Sequence, residues 1–87
     1  MKMILAIVDD ARKDSVSQAL LQSNFRVTQL ATTSGFLRGG ATTLMIGVED
    51  DLVEGALQII RSQIARMPNP DSPTTLYVLN VKSFNRL

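Results

Sequence analysis

The chain contains neither cysteine nor histidine among its 87 residues. Missing thiols exclude disulfides and cysteine nucleophiles, and missing imidazoles exclude histidine bases. Together the two absences remove nearly every zinc and transition-metal site. Ser15, Ser17, Ser34 and Ser72 consequently have no partner for a Ser-His-Asp arrangement. Lys2, Lys13 and Lys82 are scattered, without the clustering expected of a Schiff-base pocket. Absence of cysteine also fits a reducing compartment. Neither sign of charge is in excess: nine basic and eight acidic residues leave a net charge of +1. No broad attraction to a nucleic acid polymer or a membrane surface follows from that balance. Long hydrophobic runs are missing too. The opening "MKMILAIVDD" has one lysine, no small-residue cleavage site and an apolar run too short to span a bilayer. A cytoplasmic protein is expected, folded as a single domain over residues 1–87.

What is present reads as six elements. Residues 3–8, MILAIV, form a continuous apolar run closed by Asp9 and Asp10, as in a central strand covered on both sides. A helix is predicted over residues 11–22, capped by Asp10, with Val16, Ala19 and Leu20 at helical spacing. Asn24 to Thr32 alternate as a strand, and a loop with Gly35, Gly39 and Gly40 leads to a further strand over Thr42 to Val48. Asp51 and Glu54 resemble a capping box. Val53, Ala56, Leu57, Ile60 and Ile64 then share one face of a second helix. "MPNPDSP" is a proline-rich connection, Leu76 to Val81 a last strand, and "KSFNRL" a tail turn. The paired carboxylates Asp9–Asp10 and Asp50–Asp51 each precede a helix. They are expected to satisfy its free N–H groups rather than to do acid–base chemistry.

The order βαββαβ is the ferredoxin-like plan, an α+β fold with two helices on one face of a four-stranded antiparallel sheet. A monomer of this plan should keep the other sheet face polar. Here both faces are apolar. Ile4, Ala6 and Val8 oppose Met3, Leu5 and Ile7; Leu44, Ile46 and Val48 oppose Met45 and Gly47; Leu76 and Val78 oppose Tyr77, Leu79 and Val81. An open face of that kind exceeds the roughly 400 Å² patch tolerated on monomers. Self-association through it is expected.

Asn24, Arg26 and Thr28 share one face of the second strand by the two-residue period, with Phe25 and Val27 on the other. The planar fork of an arginine suits a phosphate. Glycines 35, 39 and 40 let backbone N–H groups approach an anion closely. Yet G-x-x-x-G-G is no Walker or dinucleotide fingerprint. The same residues equally fit a polar strand face meeting water and glycines that only turn a hairpin.

The segments "MKMILAIV", "NFRVTQLATTSGFLRGGATTLMIGVEDD" and "TTLYVLNVKSF" resemble the PII-like cyclic di-AMP receptor family of Gram-positive bacteria. Asn24 to Gly47 is the specific part, where family members show N-F-R-x-T, then T-G-G-F-L-R-x-G-x-T-T, then a strand ending in G-V. The resemblance implies a cytoplasmic homotrimer that binds one cyclic dinucleotide at each subunit interface and relays the signal, by loop rearrangement, to a partner protein. It implies that Asn24, Arg26 and Thr28 contact the ligand from the second strand. Gly35, Phe36, Leu37 and Arg38 would wrap a base and phosphate, and Gly47 would leave space on the third strand. Tyr77 stands where the family carries an aromatic, so base stacking and a core position are both open to it.

The chain departs from the pattern at Ser34, where the family has Gly, and at Ala41, where it has Asn. The connection before the last strand is also brief. Arg86 lies near another family contact but is of a different residue type. Other readings of the fold meet obstacles. An acylphosphatase needs a phosphate-cradling loop after the first strand, where "VDDARKD" is acidic. An RNA-binding sheet needs aromatics on its central strands, which have none. A PII-type regulator binding ATP or another nucleotide is the alternative, although such proteins carry a longer loop than "TSGFLRGGA".

Overall fold

A computed structural model describes residues 1–30, 40–68 and 73–82. Its elements follow in order as β1 (Lys2–Asp9), α1 (Asp10–Gln22), β2 (Arg26–Gln29), β3 (Ala41–Val48), a 3₁₀ turn (Asp50–Leu52), α2 (Val53–Arg66) and β4 (Thr75–Asn80). The four strands form one sheet in the order β2-β3-β1-β4, and every pairing is antiparallel. This is the ferredoxin-like arrangement, with the two longest strands at the centre.

The two-residue period decides which side chains meet the helices. Ile4, Ala6, Val8, Leu44, Ile46 and Val48 are buried and form the core with Val16 and Leu20 of α1 and Ala56, Leu57 and Ile60 of α2. Each fully buried Leu, Ile or Val side chain contributes about 1.5–3 kcal/mol relative to exposure. Phe25, Val27, Val53, Ile64 and Leu76 pack around this core. The alternation expected of the central strands, and the apolar stripe expected of the second helix, are those observed.

Several local expectations need correction. Asn24 is not a strand residue. It adopts φ 69°, the left-handed conformation that asparagine tolerates at a helix end, and its N–H donates to the Leu21 carbonyl at 3.0 Å. The Phe25 N–H donates to Leu20 in the same cap, so β2 starts at Arg26 and spans four residues. The aspartate pairs do not cap. Asp9 occupies the N-cap position of α1 without a side-chain cap bond, and α2 starts after Leu52, again without one. The Asp51–Glu54 capping box is therefore not formed. Asp50 instead lies 3.0 Å from the amino group of Met1, whose hydrogen bond and positive charge hold its carboxyl below the usual carboxylate range.

Candidate functional site

Register places the site residues in rows across the uncovered sheet face. Arg26 on β2 pairs directly with Gly47 on β3, which pairs with Met3 on β1, which pairs with Leu79 on β4. The next row on this face is Thr28, Met45, Leu5 and Tyr77. Ile7 lies between Thr43 and Thr75 in the row after that. Arg26 and Thr28 are exposed, whereas their strand neighbour Val27 turns inward. Met3, Leu5, Ile7 and Met45 are half-buried, on the face opposite the helix-packed core residues Ile4, Ala6, Val8, Leu44 and Ile46.

Gly47 is the flat position in this surface. It carries an ordinary backbone conformation, so its value lies in its missing side chain. A Cβ built there would meet only the Met1 Cε, at 3.8 Å. The strand position paired with Arg26 is thus a bare backbone with the Met1 terminal methyl near it, a contact that sequence spacing gives no hint of. Neither ion pair among the described residues involves Arg26. A guanidinium with no carboxylate partner among the described residues can meet an anionic, planar ligand with its full fork.

The expected contacts are not all brought together within one chain. Asn24 is exposed and sits in the helix cap just before Arg26. Tyr77 shares a row with Thr28 but lies three strand spacings away, about 14 Å across the sheet. It is 50% exposed on the edge strand, so a core position is excluded for it in the isolated chain. Gly35, Phe36, Leu37 and Arg38 lie outside the described residues, as do Ser34 and Arg86. One chain therefore presents Arg26, Thr28 and Gly47 at one side of an apolar sheet and Tyr77 at the other.

A second cluster was not foreseen from the sequence. At the β1–α1 junction the Thr42 hydroxyl donates to the Asp10 carboxylate at 2.7 Å, and the Asp10 N–H donates to the Gly40 carbonyl at 3.3 Å. Next to it Arg12, only 2% exposed, donates from Nε to Asp9 at 2.5 Å and from Nη1 to the Met67 carbonyl at 3.2 Å. Gly40 is buried and has φ 70°, a backbone state open to glycine at little cost. Among the described residues there is no group of three or more acidic or other metal-ligating side chains. None of the described helices is long and apolar enough to cross a membrane.

Chain order, sheet order and the open face define a ferredoxin-like domain with an arginine-and-glycine surface exposed on its sheet. Comparison with known proteins makes this specific. A sequence model of the family described as the cyclic-di-AMP receptor matches residues 1–70, and the chain belongs to that family. The match takes in Asn24, Arg26, Thr28 and Gly47 and stops short of Tyr77. Among solved structures, a functionally unknown protein from Pediococcus pentosaceus ATCC 25745 is 35% identical, with a TM-score of 0.78. The alignment covers 99% of this chain and 96% of that one.

Proposed function

We propose that this chain is a cytoplasmic signal-transduction receptor that binds cyclic di-AMP between the subunits of a homotrimer. It acts as a binding protein rather than an enzyme. Arg26 grips a phosphate, Thr28 and Asn24 add polar contacts, and Gly47 lets the nucleotide lie close to the strand. Gly35, Phe36, Leu37 and Arg38 wrap the ligand from the β2–β3 connection, and Tyr77 reaches it across the interface from a neighbouring copy. Ligand-driven rearrangement of that connection is then read by a partner protein.

The observation that carries this reading is the pairing of Arg26 with Gly47 on an uncovered, apolar sheet face. The charge matches a phosphate, the bare backbone admits a flat ring, and the greasy surround calls for a second copy to exclude water. Membership of the cyclic-di-AMP receptor family supplies the ligand class. The test is a titration with cyclic di-AMP of the wild-type chain and of Arg26→Ala. Binding to the wild type that is weakened in the variant supports the assignment, and equal affinity overturns it.

A further inference from the structure

Asp9 and Asp10 are adjacent in sequence, yet their carboxylates hold two distant parts of the chain. Asp10 holds the exit of the β2–β3 connection, its carboxylate accepting from the Thr42 hydroxyl and its backbone N–H donating to the Gly40 carbonyl. The β1–β3 ladder adds a register pair between Asp9 and Ala41 at the same place. Asp9 holds Arg12, and Arg12 holds the carbonyl of Met67, the residue that caps the C-terminus of α2. Thr42 and Arg12 are both almost fully buried, at 1% and 2% exposure. Charge-assisted hydrogen bonds made by side chains this deeply buried are strong and geometrically strict. Beside them a cleft of about 350 Å³ is bordered by Asp9, Ala11, Arg12, Met67 and Pro68, which leaves the Met67–Pro68 segment room to shift.

We infer that Asp9, Asp10 and Arg12 are positioning residues that tie the exit of the β2–β3 connection to the end of α2, so that a change at Gly40–Thr42 is felt at Met67. As applied to signalling, this rests on the ligand-binding role proposed above. The link itself is a property of the free protein. Arginine is required because one guanidinium must serve Asp9 and the Met67 carbonyl together; a lysine keeps the charge but has a single ammonium to offer.

The experiment is a double-mutant cycle read by amide hydrogen exchange in the ligand-free protein. Thr42→Val removes the hydroxyl at nearly constant shape. It should speed exchange of the amides of residues 65–67 by at least about twofold, the lower end of the coupling seen between residues of one hydrogen-bond network. The amides of Ile4 and Ala6 in β1 serve as control and should not change, since general destabilisation would move them as well. In an Arg12→Lys background, Thr42→Val should leave residues 65–67 unaffected. Asp9→Asn is the second background, should Arg12→Lys fold poorly. An equal effect of Thr42→Val in both backgrounds, or none in the first, overturns the inference. A second arm adds cyclic di-AMP. Slower exchange at 65–67 in the wild type, lost in Arg12→Lys while calorimetry still detects binding, extends the link to signalling. No binding to the wild type would defeat the proposed function, and the ligand-free cycle would still decide the link.

Discussion

Arg26 and Gly47 are direct partners across the β2–β3 ladder, on the sheet face that the helices leave uncovered. Their adjacency makes a charge beside a gap, and the gap can be filled without harm to the fold. A methyl group at 47 meets nothing nearer than the Met1 Cε at 3.8 Å, and alanine in a strand avoids about 0.5–1 kcal/mol of glycine's entropic cost. Gly47→Ala should therefore match or slightly exceed the wild type in thermal stability. Its affinity for cyclic di-AMP should fall roughly five- to a hundredfold, by the 1–3 kcal/mol of overpacking. Paired thermal melts and titrations check both halves.

Arg26→Ala should lose a charge-assisted contact of roughly 1.5–3 kcal/mol, about ten- to a hundredfold in affinity. The residue is exposed and takes part in neither ion pair found among the described residues. Circular dichroism and the melting midpoint should therefore stay at wild-type values.

Leu5 sits at the middle of the uncovered face, between Met45 and Tyr77. Leu5→Glu would bury an unpaired carboxylate in any interface built on that face, which proteins avoid at a cost of several kcal/mol. Sedimentation equilibrium at micromolar concentration should give three times the 9.5 kDa chain mass for the wild type and one chain mass for the variant. A wild-type mass of one chain would remove the interface from the account.

Ile46 lies on the opposite side of β3 and is fully buried. Ile46→Ala should cost about 2–5 kcal/mol in denaturant unfolding, the usual loss for such a truncation. The contrast between Gly47→Ala and Ile46→Ala, neighbours on one strand, tests the assignment of the two faces.

The two faces of the central strands were legible as separate sets because alternation maps directly onto the pleat, but both are apolar, so which set meets the helices was not. Ile4, Ala6 and Val8 could be told from Met3, Leu5 and Ile7 without coordinates. The second strand was legible only in its middle. Asn24 and Phe25 continue the alternation of Arg26 to Thr28, but the helix cap claims both, and nothing in the pattern separates a cap from a strand start. The aspartate pair was misread for a different reason. Asp9 and Asp10 have the composition of a cap, but their partners are Arg12, which resembles an exposed helix charge, and Thr42, which only strand pairing brings near. Tyr77 and Thr28 share a row across the whole sheet, which register alone reveals.

Calorimetric titration of the wild-type protein with cyclic di-AMP, cyclic di-GMP and ATP tests the central claim most directly. The account predicts saturable binding of cyclic di-AMP at one molecule per chain, as three interfaces shared by three subunits require, and weaker or absent binding of the other two. No binding of cyclic di-AMP, or tighter binding of ATP or cyclic di-GMP, would contradict it.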